Sequence, residues 1–425
     1  MPDLFADLTW RGLVSQTSSP DAFAAWLLEK PRTVYCGFDP TSDSLHVGSL
    51  LPVLLLRRFQ QAGHTPIALV GGATGMIGDP SGKSEERNLL SVDSLRANVA
   101  GIERQLRQFL SFEGANGAIL LNNFDWMSRF SYLEFLRDVG KHFPVNVMLA
   151  KDSVASRIER ETGISYTEFS YMLLQAYDFV HLNQAHGCDL QIGGADQWGN
   201  ITAGIDLARR MHGRHLFGMT CPLLLKSDGA KMGKTEKGAI YLSPARTSPY
   251  AFYQYWVNIA DADCASSLRF LTELSHAEME ALDASRATEP HLRTSQKRLA
   301  EELTRLVHGA AGLTAAQRAT EIFFGAEIEN LSDAQMGEIF ADVPSQTLPR
   351  TRLEGGGLTL VEAMMEAGLA KNKSDARRTI EQGGAYINNR QREGVETMLT
   401  PADLASESLL VVRSGKKKYG LLRFQ

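Results

Sequence analysis

The chain has 425 residues, 44% hydrophobic and 22% charged, with a formal net charge of −5, enough for two or three globular domains and too acidic for a nonspecific nucleic-acid coat. No apolar run approaches the roughly 20 residues that span a bilayer, and Met1 to Trp10 lacks the basic-then-apolar pattern of a signal peptide. Four widely spaced cysteines (Cys36, Cys188, Cys221, Cys264) suggest neither a disulfide framework nor a Cys-x-x-Cys metal site, so the expected compartment is a reducing cytoplasm.

Thr33 to Phe38 is β-branched and aromatic and reads as a buried strand. Asp39-Pro40 stops it. Ser44 is the expected N-cap of a helix from Leu45 to Gln61, with His46 in its first turn and Gly48 letting a ligand approach the backbone. Strand, loop and helix N-terminus is how open α/β sheets bind phosphates, although an ordinary strand-to-helix turn looks the same. Pro66 to Val70 is a second strand, and a glycine-rich loop runs from Gly71 to Lys83. It ends in Gly82-Lys83-Ser84, but Ile77 stands where a Walker loop needs glycine, which excludes a P-loop. Asp93 is expected to cap a helix to about Phe112. Ala118 to Leu121 then reads as a third strand and Ser131 to Lys141 as a helix.

Tyr166 to Leu182 is a helix that Thr167 could cap. Tyr171, Gln175 and Asp178 stand at i, i+4 and i+7 and share one face, while apolar residues cover the rest. A buried polar stripe needs partners, from a core network or from a ligand. Cys188 to Ile192 is a further strand, with Asp196 the expected cap of the next helix, and Cys221 to Leu225 is the last strand. Alternating strands and helices predict a mostly parallel sheet with helices on both faces. The loop Lys226 to Thr235 carries Lys231 and Lys234 among glycines, which suits closure on polyphosphate as well as a solvated surface loop. Pro249 to about Phe340 is helical. Val343 to Gly357, with Pro344, Pro349 and three glycines, is the expected linker. Two short helices and two strands follow. From Thr351 onward 12 Lys and Arg face 9 Asp and Glu, a balance of +3, while the preceding residues carry −8. An acidic body with a basic end suggests two surfaces with different partners.

With these residues placed, the chain resembles the bacterial tyrosyl-tRNA synthetases, class I aminoacyl-tRNA synthetases. The blocks in family order are Tyr35 to Thr41, His46 to Ser49, Gly71 to Lys83, Tyr166 to Asp178, Gln191 to Asn200 and Lys231 to Thr235. The tail resembles a small RNA-binding domain also found in a ribosomal small-subunit protein. Two signatures depart from the class pattern. His-Ile-Gly-His is here His46-Val47-Gly48-Ser49, and Lys-Met-Ser-Lys-Ser is Lys231-Met232-Gly233-Lys234-Thr235. The resemblance implies a Rossmann-like catalytic domain over residues 1–225 and an α-helical tRNA-contacting domain with the lysine loop over 226–342. A linker over 343–357 and an α+β RNA-binding domain over 358–425 would follow.

The implied reaction joins L-tyrosine to tRNA(Tyr) in two steps, through tyrosyl-adenylate with release of pyrophosphate. By the same resemblance, Thr41, His46, Lys83, Arg87, Lys231 and Lys234 would serve the triphosphate. Tyr35 and Asp178 would hold the substrate phenol, Asp79, Tyr171 and Gln175 its ammonium group, and Gln197 would lie near its carboxylate. Gly37, Asp39, Gly48, Ser49, Gly194 and Asp196 would contribute to the ATP site. Arg377, Arg378, Lys416, Lys417 and Lys418 would contact RNA. ATP would arrive with Mg2+, without a dedicated protein metal cage. A homodimer is implied, with Phe130 to Phe143 the candidate interface helix, and no membrane association. The nearest rival is a tryptophanyl-tRNA synthetase, and a rival of another class is a catalytically silent RNA-binding relative. The Tyr35 and Asp178 pair opposes the first, and the retained His46, Lys231 and Lys234 oppose the second.

Overall fold

In the computed structural model, which describes residues 3–81, 90–158, 163–235, 238–329, 331–340, 343–354 and 356–425, the chain forms two compact units. One comprises Met1–Arg246 with Ile259–Leu299, the other Thr247–Asn258 with Ala300–Gln425.

The first unit is built on a six-stranded sheet. Its elements run β1 (Thr33–Phe38), α1 (Val47–Gln61), β2 (Thr65–Val70), α2 (Val92–Phe109), β3 (Ile119–Asn122), α3 (Tyr166–His186), β4 (Cys188–Gly194), α4 (Trp198–His212), β5 (Phe217–Cys221) and α5 (Asp261–Leu271). The spatial order is β5-β4-β1-β2-β3, all parallel, with the two-residue strand Gln16–Thr17 antiparallel at the β5 edge. From β1 the chain first winds outward through β2 and β3, then returns to place β4 on the other side of β1. That reversal is a topological switch point, and the carboxyl ends of its two strands are where such a sheet binds ligands. Apolar side chains pack the interior: Val34, Ile67, Ala68, Phe179, Leu190 and Ile201 are fully buried.

Several local expectations shift. The N-cap of α1 is His46, not Ser44, because the Ser44 hydroxyl accepts hydrogen bonds from Gln105 Nε2 at 3.0 Å and the Ser243 N–H at 3.1 Å. Ser91, not Asp93, caps α2, and Ser165, not Thr167, caps α3. A short 3-10 turn, Ala195–Gln197, precedes α4, so Asp196 does not cap it. The last strand lies at Phe217–Cys221 rather than Cys221–Leu225, since Pro222 has no N–H to extend the ladder.

The second unit carries a five-stranded sheet in the order Arg390–Gln391, Ala385–Ile387, Leu409–Ser414, Lys418–Phe424 and β6 (Ser345–Leu348). β6 lies within the stretch expected to be a linker and pairs parallel with Lys418–Phe424. Ala319, Ile322, Met336 and Phe340 share one apolar core with Leu409, Val411, Tyr419 and Leu421. Helical residues and basic tail are therefore packed together within this unit.

Candidate active site

The carboxyl ends of β1 and β4 border a cavity of about 400 Å³. Tyr35 from β1 and Gln191 from β4 are register partners across the two strands, and both line it. Tyr171, Gln175 and Asp178 enter from one face of α3, as their spacing predicts.

The inner end is buried. Asp178 is 1% exposed, and its carboxylate accepts hydrogen bonds from Asn123 Nδ2 at 3.0 Å and Trp126 Nε1 at 2.9 Å. Burial pushes its pKa up to about 7, against the pull of those two donors. The Tyr35 phenol is held well above its ordinary range by burial and by the Asp178 charge. Among the described residues its hydroxyl has no hydrogen-bond partner, and neither has Gln191 Oε1. Buried polar atoms left in this state are costly unless a ligand completes them.

Further out, Asp79 accepts from Gln197 Nε2 at 2.7 Å and from the Ser81 N–H at 2.9 Å. Tyr171 and Thr74 donate their hydroxyls to the two oxygens of Asp39, at 2.8 and 2.7 Å. The Thr74 oxygen accepts from Asn123 Nδ2 at 3.0 Å, so one hydrogen-bonded chain connects Tyr171, Asp39, Thr74, Asn123 and Asp178. Gly71 allows this network, because a Cβ there would lie 2.0 Å from Asp39 Oδ1.

Thr41, His46, Lys231 and Lys234 are exposed at the rim of the same cavity. His46 Nδ1 accepts the Gly48 N–H at 3.0 Å, which leaves Nε2 as the donor of the neutral ring. The lysine loop is tied to the start of α1. The Val47 N–H donates to the Ile240 carbonyl at 3.0 Å, and the Ile240 N–H to the Gly233 carbonyl at 2.8 Å. Gly233 has φ +82°, and a Cβ there would come within 2.6 Å of Val47 Cβ, so glycine suits the place where the signature has serine.

The cavity thus gathers Gly37, Asp39, Gly48, Ser49, Asp79, Gly194, Asp196 and Gln197 with the residues above. Lys83 and Arg87 lie outside the described residues. Arg377, Arg378 and Lys416 to Lys418 are exposed on the second unit, with Arg378 paired to Asp375 at 2.6 Å. Asn123, Trp126, Thr74 and Gln191 were not expected. Asn122-Asn123 does follow the third strand, and polar residues at a strand's carboxyl end were the available signal. Among the described residues no helix is long and apolar enough to cross a membrane.

Residues 28–325 match the class I tRNA synthetases (W and Y), and residues 335–422 match the Tyrosine--tRNA ligase SYY-like C-terminal domain. The fold is therefore that of a class I aminoacyl-tRNA synthetase. The Tyrosine--tRNA ligase of Rhodopirellula baltica is 61% identical over 99% of this chain and 96% of its own length. That of Geobacillus stearothermophilus is 51% identical over 99% of this chain and all of its own. A C-terminally truncated mitochondrial tyrosyl-tRNA synthetase of Aspergillus nidulans superposes with a TM-score of 0.69 at 29% identity, covering 76% of this chain and 94% of that one. The chain belongs to the tyrosine--tRNA ligases, and its reaction is the ATP-dependent attachment of tyrosine to tRNA.

Proposed function

We propose that the cavity holds L-tyrosine with its phenol between Tyr35 and Asp178, its ammonium group at Asp79, Tyr171 and Gln175, and its carboxylate near Gln197. The observation that carries this reading is the Tyr35 hydroxyl, without a hydrogen-bond partner among the described residues, at the closed end that Asp178 also lines. A phenol is both donor and acceptor, so it donates a hydrogen bond to the Asp178 carboxylate and accepts one from the Tyr35 hydroxyl. MgATP occupies the outer part, over Gly37, Asp39, Gly48, Ser49, Gly194 and Asp196. Thr41, His46, Lys231 and Lys234, with Lys83 and Arg87, meet its phosphates.

The substrate carboxylate attacks the α-phosphorus in line. The new C–O–P bond forms as the bond to pyrophosphate breaks, and no general base is needed because the nucleophile is already ionised. Rate then comes from positioning and from donors aimed at the phosphate charge, such as His46 Nε2 and the two lysines. Tyrosine next passes from the adenylate to the terminal ribose of tRNA. Pyrophosphate exchange assayed with each of the twenty amino acids tests the assignment. Tyrosine alone should support it, and exchange with tryptophan instead would overturn it.

In the same reading residues 226–342 and 358–425 provide tRNA contacts, and the enzyme works in the cytoplasm as a homodimer. Replacing Lys416, Lys417 and Lys418 together by Ala is expected to leave pyrophosphate exchange intact. It should weaken tRNA binding and reduce the slope of log K against log salt by about 2 to 3, as three lost phosphate contacts would. Filter binding at several salt concentrations measures both. The dimer face proposed here surrounds Tyr132, Leu133, Val145, Val147 and Tyr166. These are 64, 75, 59, 44 and 61% exposed, and the Tyr132 and Tyr166 hydroxyls stand 3.4 Å apart. Leu133→Asp is expected to yield monomers by light scattering, and an unchanged mass would refute this face.

A further inference from the structure

We infer that Asp263 on α5 is a positioning residue for adenylate formation, holding the lysine loop through its backbone. The inference rests on the proposed role of Lys231 and Lys234 at the phosphates. The Ser227 N–H, at the start of the loop, donates to Asp263 Oδ1 at 2.6 Å, and Asp263 is only 6% exposed. One helical turn on, Ser267 is fully buried, and its hydroxyl, 2.7 Å from the Asp263 carbonyl, also lies 3.6 Å from Met232 Sδ. Met232 sits between the two lysines and is 3% exposed. Residues at i and i+4 share a helix face, so a single face of α5 grips the loop at Ser227 and at Met232.

Between these two grips the loop closes on itself. The Lys226 N–H donates to the Ala230 carbonyl at 2.8 Å, the Gly229 N–H to the Lys226 carbonyl at 2.9 Å, and the Met232 N–H to the Leu224 carbonyl at 2.9 Å. Lys231 and Lys234 are exposed, while Met232, beside Lys231, is sunk into the protein. Among the described residues the loop that carries the two lysines is held by these backbone bonds and by the buried Met232 side chain. A carboxylate on a backbone N–H is among the stronger such anchors. Losing it leaves the loop in place on average but samples wrong positions, and misplacement of about 1 Å is enough to slow a step that depends on alignment.

The test uses the full-length enzyme and Asp263→Ala, Asp263→Asn and Ser267→Ala. Asp263→Ala should lower the single-turnover rate of adenylate formation roughly tenfold or more, with tyrosine affinity unchanged by equilibrium dialysis. Asp263→Asn, which keeps an oxygen acceptor, should recover most of the rate. Ser267→Ala should fall in between. Trypsin cleavage at Lys231 and Lys234 should quicken in Asp263→Ala, a readout that holds even where little active enzyme is obtained. In a Lys234→Ala background Asp263→Ala should add little, because it acts through the loop. Full additivity, a rate equal to the parent's, or unchanged trypsin cleavage would each refute the positioning role. If Lys234→Ala itself adenylates at the parental rate, the reading of the loop fails instead, and the two failures are told apart.

Discussion

Asp178→Ala is expected to cost at least about 3 kcal/mol in tyrosine activation, roughly a hundredfold or more in kcat/KM. Three donors converge on this carboxylate in the proposed complex: Asn123 Nδ2, Trp126 Nε1 and the substrate phenol. Alanine removes the third bond and also strands the first two, which are buried beside it. Phenylalanine makes no such bond, so its activation should change little and the preference for tyrosine should collapse by the same factor. Pyrophosphate exchange with both amino acids measures this, and parental kcat/KM for tyrosine would remove Asp178 from the pocket.

The same carboxylate predicts a pH profile. Burial raises the Asp178 pKa from 3.8 to about 7, so between those values the folded protein holds a proton that the unfolded chain has released. This group's contribution to stability therefore declines as pH rises from about 4 to 7 and is level above. Binding of the phenol O–H favours the ionised form. Tyrosine affinity is accordingly expected to be level above pH 7 and to fall toward tenfold per unit below it, a trend that Asp178→Asn should abolish.

Elements set by local chemistry were legible in the sequence, and those set by distant partners were not. β1, α1 and the α3 stripe announce themselves because a strand's composition and a helix's spacing are carried within a few residues. The cap of α1 is not legible locally because the Ser44 hydroxyl is engaged by Gln105 and Ser243, far along the chain. β6 is hidden for a related reason. Its neighbourhood is rich in proline and glycine, and its partner strand begins some seventy residues later. In the site, the stripe Tyr171, Gln175 and Asp178 identified a polar face but left open whether protein or ligand satisfied it. The structure divides the two. Asp178 and Tyr171 have protein partners, while Tyr35 and Gln191 retain buried atoms that are unpaired among the described residues. Asn123 and Trp126 escaped notice because their roles depend on a contact across more than fifty residues of chain.

Lys234→Ala is expected to reduce the rate of adenylate formation by roughly two to three orders of magnitude while leaving tyrosine affinity unchanged. The lysine stands on a short hairpin, Lys234–Thr235 paired with Gly238–Ala239, that continues into Ile240 and Tyr241 beside the N-terminus of α1. Its ammonium group therefore shares the rim with His46, and Asp178 lies at the closed end of the same cavity. A cation in that place has little to offer free tyrosine. It gains most when negative charge moves onto the departing pyrophosphate, an interaction stronger in the transition state than with ATP at rest. The variant should consequently lose kcat with a modest change in the KM for ATP. Loss confined to KM would mean that Lys234 binds ground state and transition state alike, and would withdraw it from the catalytic set. Rapid-quench measurement of tyrosyl-adenylate at saturating ATP and tyrosine separates the two outcomes, because it isolates the chemical step from release of product and from tRNA.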